Sequence, residues 1–95
     1  MAVGEFTNAI QANPNYSNAY HWRALSYYNL GQYQTAINDY TKAIQLNPDD
    51  VLNYSGRGNS YLLLGQYQNV INDYTKAIQL NYYNAAFAYQ IRGPS

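Results

Sequence analysis

The sequence predicts an all-α protein, a right-handed α-solenoid of antiparallel helix pairs, and three observations lead there. The chain repeats itself at an interval of 34 residues: Gly31-Gln32-Tyr33-Gln34 returns as Gly65-Gln66-Tyr67-Gln68, and residues 37–47 return intact as residues 71–81. Laid over residues 51–84, residues 17–50 are identical at 20 of 34 positions. A fixed period of this length marks a stack of supersecondary units. Within each unit apolar residues recur at three- and four-residue steps, the spacing of one helical face. Glycines and prolines fall at fixed places between those faces, where helices stop.

The elements come in order along the chain. Residues 2–13 read as a second helix of a preceding unit, because Ala2, Phe6, Ala9 and Pro14 are in register with Ala36, Tyr40, Ala43 and Pro48. Tyr20, Ala24, Tyr27 and Tyr28 form one face of a helix over Ala19–Leu30. Gly31 ends it, since glycine accepts positive φ just past a helix end. Tyr33, Ala36, Ile37, Tyr40, Ala43 and Ile44 mark the next helix, and Asn47-Pro48 stops that one. Asn15 and Asp49 stand where N-caps are expected. Tyr54, Gly58, Tyr61 and Gly65, then Tyr67, Val70, Ile71, Tyr74, Ala77 and Ile78, repeat the pair. Tyr89, Arg92 and Gly93 match Tyr54, Arg57 and Gly58 one residue late, and Pro94 ends that helix. The chain thus divides into residues 1–14, a second helix; 15–48, repeat one; 49–82, repeat two; and 83–95, the first helix of a truncated repeat. The two half-repeats read as the cut ends of a longer array.

The pattern W-x2-L-G-x2-Y…A-x3-F…P is met by Tyr20, Arg23, Ala24, Tyr27, Ala36, Tyr40 and Pro48, and again by Tyr54, Arg57, Gly58, Tyr61, Val70 and Tyr74. On these residues the chain resembles the tetratricopeptide repeat family over almost its whole length. Small residues let two helices approach, and aromatics fill the space between them. Two departures stand out: Tyr82 replaces the proline, and Arg23 and Arg57 replace a leucine. Nine tyrosines (Tyr20, Tyr27, Tyr33, Tyr40, Tyr54, Tyr61, Tyr67, Tyr74 and Tyr89) fall on packing positions of the repeat.

Composition narrows the function. Charged residues are 11% of the chain and the formal net charge is zero, which leaves no electrostatic footprint for nucleic acid or an anionic membrane. There is no cysteine, so disulfides and thiolate metal sites are excluded. No apolar run approaches the ~20 residues of a membrane span. His21 is the one histidine, and the Asp49-Asp50 pair lies at a helix start, where capping accounts for it. No catalytic, metal or cofactor site is expected, and the chain is read as a non-enzyme. No compartment is indicated; the cytoplasm is the favoured one.

The resemblance implies that the first helix of each repeat lines a concave surface. The groove positions are then Asn18, His21, Trp22, Leu25, Tyr28 and Asn29; Leu52, Ser55, Asn59, Leu62 and Leu63; and Phe87, Gln90 and Ile91. This surface is aromatic, aliphatic and amide-rich, and contiguous exposed apolar surface marks a contact site. The expected function is a protein-interaction scaffold that takes a peptide or partner protein, and Trp22, Tyr28, Leu62 and Leu63 are expected to be open to solvent. Some relatives grip an acidic peptide C-terminus with Lys, Asn and Arg; the aligned positions here hold His21, Leu25, Gly56, Phe87 and Ile91, and none matches. The alternative is a structural element that associates head to tail, the incomplete end repeats completing one another through Phe6, Ile10, Phe87 and Ile91. Its rival is a two-fold dimer that exchanges helices or presses grooves together. Finally, a buried arginine needs a partner. Arg57 is expected to pair with Asp39 or Asp73, with Arg23 and Arg92 following the same rule; otherwise each head reaches solvent along its stem.

Overall fold

A computed structural model describes the backbone of residues 2–92 and the side chains of residues 3–81. Five helices succeed one another: α1 (Ala2–Ala12), α2 (Ser17–Asn29), α3 (Tyr33–Leu46), α4 (Val51–Leu63) and α5 (Tyr67–Arg92). Each packs on the next in sequence, and α2 also touches α4. The result is an all-α helical-repeat solenoid, with the two first-type helices side by side along one surface.

The turns inside the repeats are copies of one another. Gly31 has φ 78° and Gly65 φ 77°, the left-handed conformation that a Cβ penalises. The Gly31 and Gln32 amides donate to the Tyr28 and Tyr27 carbonyls at 3.0 and 2.9 Å. Gly65 and Gln66 do the same to Leu62 and Tyr61, both at 3.0 Å. This double bond satisfies carbonyls that the helix end would leave open. Between repeats the turn is made by Asn47-Pro48. The caps lie one residue later than the sequence suggested: Asp50, not Asp49, accepts from the Leu52 amide at 3.0 Å, and Tyr16, not Asn15, precedes α2. The proline turn takes up the extra residue. Asn13 instead uses its side chain inside the turn, accepting from the Asn15 amide at 3.2 Å. The Ser17 hydroxyl donates to the Ala43 carbonyl at 3.1 Å and so ties the start of α2 to the last turn of α3.

At the end of repeat two the structure departs from the expected division. α5 runs unbroken for 26 residues to Arg92, so no turn separates residues 49–82 from residues 83–92. Tyr82 stands in the place of Pro48, and a tyrosine keeps the amide that proline lacks. Met1 and residues 93–95 lie outside the described residues, as do the side chains of Tyr89 and Arg92.

The core is built from small residues against tyrosine. Ala24, Ala36 and Tyr40 are buried together, with Tyr27 and Tyr28 packed on them. Gly56 lies over the Tyr40 ring: a Cβ there would sit 2.6 Å from Cε1 and 2.7 Å from the hydroxyl oxygen. Gly58 meets Tyr74 in the same manner, where a Cβ would lie 3.0 Å from Cε1. Of the packing tyrosines, Tyr20, Tyr40 and Tyr54 are buried, while Tyr67 is exposed.

The arginines are paired, and the two repeats agree. Arg23 Nε and Nη2 donate to Asp39 Oδ2 and Oδ1 at 2.7 and 2.8 Å. Arg57 makes the same fork to Asp73 at 2.8 and 2.7 Å, so its partner is Asp73 and not Asp39. The third nitrogen reaches backwards: Arg23 Nη1 donates to Thr7 Oγ1 and Arg57 Nη1 to Thr41 Oγ1, each at 3.2 Å. One side chain thereby ties three consecutive helices. Its charge is held firmly: hydrogen bonding to the aspartate raises the pKa of both guanidinium groups. Tyrosine faces complete the setting, the Arg57 carbon lying 5.9 Å from the ring centres of both Tyr54 and Tyr61.

Arg57→Met or Asp73→Leu alone should each lower the unfolding free energy by about 3 kcal/mol, because each strands a charge in the core. The double substitution should cost about 1 kcal/mol or less, since two apolar chains remove both charges. Urea melts of the four proteins measure this, and additive single effects would contradict it. Gly56→Ala should cost about 1–3 kcal/mol by overpacking against Tyr40, whereas Gly4→Ala, where a Cβ meets nothing within 4 Å, should not destabilise.

Candidate functional site

Side by side, α2 and α4 leave a depression between them, and α3 closes its base. The cavity has a volume of about 240 Å³. His21, Leu25 and Tyr28 line it from α2, and Leu52, Ser55, Gly56 and Asn59 from α4. Tyr40 of α3 is the remaining lining residue. The spacing explains the arrangement: 21, 25 and 28 lie on one helical face, as do 52, 55, 56 and 59.

Six of the groove residues expected from the sequence therefore meet in one pocket: His21, Leu25, Tyr28, Leu52, Ser55 and Asn59. Asn18, Trp22, Asn29, Leu62 and Leu63 are exposed but lie outside its lining. Trp22 is 48%, Leu62 45% and Leu63 50% exposed, as expected for residues outside the packing code. Tyr28 differs. It is half-buried, since its ring packs on the Ala24–Ala36–Tyr40 cluster and meets Tyr33 edge-on at 5.5 Å. The side chains of Phe87, Gln90 and Ile91 lie outside the described residues. Phe6 and Ile10, expected to serve self-association, are half-buried on α1 and are not freely exposed.

Tyr40 and Gly56 were not among the expected groove residues, although the sequence carries a signal for them. Gly56 occupies the position that Trp22 holds in the first repeat. Losing an indole there opens the way down to the Tyr40 ring. Burial pushes the Tyr40 hydroxyl up to about 12, with a smaller contribution from Tyr28, so it stays protonated. His21 lies beside this ring, centre to centre 5.7 Å. Its Nδ1 is 2.7 Å from Asn53 Oδ1, and with the amide so oriented the histidine is the donor. Asn53 is fully buried, and its Nδ2 has no partner among the described residues. At the other end Asn59 Oδ1 accepts from the Tyr74 hydroxyl. The Ser55 hydroxyl is spent on the Val51 carbonyl at 2.9 Å.

The lining contains no Asp, Glu, Lys or Arg. Among the described residues no group of three or more His, Cys, Asp or Glu is placed to hold a metal ion, and no helix is long and apolar enough to cross a membrane. What the site offers is an apolar recess with aromatic walls and a few amide and imidazole groups. Such a recess can seat an uncharged side chain and orient a neighbouring polar group.

Comparison with known proteins agrees with this architecture. No curated protein sequence matches the chain. Among solved structures, MamA superposes with a TM-score of 0.86 at 26% identity, covering 88% of this chain and 49% of MamA. The first TPR of Spaghetti (RPAP3), bound to the HSP90 peptide SRMEEVD, gives 0.81 at 26% identity, covering 82% of this chain and 62% of that one. The second TPR of the same protein, bound to the same peptide, gives 0.80 at 24% identity, covering 82% and 72%. This chain spans about half the length of MamA. The model of the tetratricopeptide repeat matches residues 17–50 and 53–81, well over half of the sequence. The chain belongs to the tetratricopeptide repeat family.

Proposed function

We propose that this chain is a protein-interaction module whose pocket between α2 and α4 takes an uncharged, apolar side chain of a peptide or partner protein. The carrying observation is the recess itself: Leu25, Leu52 and Tyr40 meet there with no charged residue in the lining. The coarser part of this reading, a protein-binding repeat, also accords with the Spaghetti domains and their bound peptide. The finer part separates this chain from them. Three of the positions aligned with the acidic-tail clamp, His21, Leu25 and Gly56, line the pocket and carry no Lys or Arg. A peptide with acidic residues at its end would find no fixed cation there. An apolar anchor would bury its surface against Leu25, Leu52 and the tyrosine rings, worth about 25 cal/mol per Å² removed from water. Trp22, Leu62 and Leu63, exposed on the same two helices, would extend the contact on either side of the anchor. Nothing in this arrangement calls for a catalytic step.

The test is selection of peptides from a random library on the whole chain, with titration of the best binders. Selected sequences should share a bulky apolar residue and lack acidic clusters. Leu52→Glu should weaken binding at least about tenfold, because Leu52 is an exposed rim residue and a buried unpaired charge costs more than about 1.4 kcal/mol. Helical circular dichroism should be unchanged. Binders dominated by Asp and Glu, or binding indifferent to Leu52→Glu, would contradict the proposal.

A further inference from the structure

The two repeats treat the same tyrosine differently. Tyr40 of α3 and Tyr74 of α5 stand 34 residues apart, at one position of the repeat. The Tyr74 hydroxyl donates to Asn59 Oδ1 on the first helix of its own repeat. The position equivalent to Asn59 in repeat one is Leu25, whose side chain has no acceptor. Tyr20, another buried tyrosine, gives its hydroxyl to the Pro14 carbonyl at 3.0 Å. Tyr40 Oη has no hydrogen-bond partner among the described residues, although its side chain is 1% exposed.

That hydroxyl belongs to the base of the pocket. Gly56 brings α4 down onto it, for a Cβ at position 56 would lie 2.7 Å from the oxygen. Both residues line the cavity. Among the described side chains Asn53 Nδ2 is the unpaired polar atom sealed from solvent; Tyr40 Oη is not sealed, because the cavity reaches it. With its pKa pushed up to about 12 by burial, the phenol keeps its proton at neutral pH and is a donor there. A ligand that fills the recess shuts water out of it. It must then supply the acceptor itself, since a buried donor is expensive to leave unmatched.

We propose that the pocket selects a tyrosine of the partner, its ring against Leu25 and Leu52 and its phenol oxygen accepting from the Tyr40 hydroxyl. This rests on the reading of the pocket as the seat of one uncharged side chain and names that side chain. A cavity of about 240 Å³ is smaller than the roughly 300–1,000 Å³ that a drug-sized ligand needs, and it suits a single residue. Phenylalanine or leucine would fill it and leave the donor unmatched. Tryptophan brings an N–H and no acceptor. Asparagine and glutamine bring an acceptor, but with it two more donors and little apolar surface. Tyrosine is apolar over its ring and carries one hydroxyl at the tip. Its own proton also has a place to go. His21 lines the same cavity, its ring centre 5.7 Å from that of Tyr40. Its Nδ1 proton is given to Asn53, so its Nε2 is an acceptor. A site built to bond a hydroxyl rejects the analogue that lacks one.

Titration of the full chain with N-acetyltyrosinamide and with N-acetylphenylalaninamide, followed through the nuclear magnetic resonance signals of His21, Leu25 and Leu52, tests the choice. The tyrosine amide should bind at least about fivefold more tightly, the worth of one hydrogen bond. Tyr40→Phe should bring that ratio to about one or below. It should leave helical circular dichroism unchanged and the melting temperature no lower, because the hydroxyl it removes has no partner inside the chain. Leu25→Asn gives Tyr40 the acceptor that Asn59 gives Tyr74, and it should also erase the preference, whatever it does to both affinities together. Equal binding of the two amides, or binding of neither, would overturn the proposal. So would a preference that survives either substitution, or a clear loss of stability in Tyr40→Phe. The pocket reading fails separately: if library peptides still respond to Leu52→Glu while the tyrosine preference is absent, the pocket stands and its choice of tyrosine does not.

Discussion

The arginine fork is the constraint around which the rest of the structure is arranged. Arg23 and Arg57 enter at a position that the family fills with an apolar side chain, and a charge there needs partners of its own. Each guanidinium gives two hydrogen bonds to the aspartate of the next helix and one to the threonine of the preceding helix. That geometry fixes the spacing of three helices at once. It accounts for the presence of Asp39 and Asp73 inside identical segments, and for a threonine at positions 7 and 41. Small residues line the approach: Ala24 is buried with Tyr40, and Gly56 and Gly58 lie where a Cβ would press on the rings of Tyr40 and Tyr74.

The pocket is a consequence of the same close approach. Two first-type helices that touch leave a furrow, and what fills it depends on one position. In repeat one that position is Trp22, a bulky residue that projects to solvent; in repeat two it is Gly56, which exposes the wall of Tyr40. Arg23 and Arg57 are engaged in their forks and do not line the furrow. The lining of the pocket carries no Asp, Glu, Lys or Arg.

Much of this was legible in the sequence, for reasons that differ by element. The 34-residue period placed α1 to α4 and both glycine turns, because glycine and proline act locally. The pairing of arginine with aspartate was legible because an unpaired buried charge is too costly to leave standing, but the choice of Asp73 over Asp39 for Arg57 needed coordinates. The cap of α4 fell one residue off, since the proline turn can end at either of two adjacent aspartates. The run of α5 through Tyr82 was missed for a simple cause. The late-by-one match of Tyr89 and Arg92 promised a turn, whereas the residues at the junction contain nothing that stops a helix. Tyr40 was read only as core, because periodicity says which face a residue is on and not whether the neighbour above it is a glycine.

The central claim is that each arginine is locked between three helices and is not resting along the surface. Its Nε proton reports this directly. In a nitrogen–proton spectrum, the Arg23 and Arg57 Nε–H groups should be sharp, distinct from the exposed-arginine position, and protected from solvent exchange until the chain unfolds as a whole. Asp39→Asn should collapse the protection at Arg23 and leave that at Arg57 largely intact. Rapid exchange at both sites in the unsubstituted chain, at the rate of a free arginine, would contradict the account.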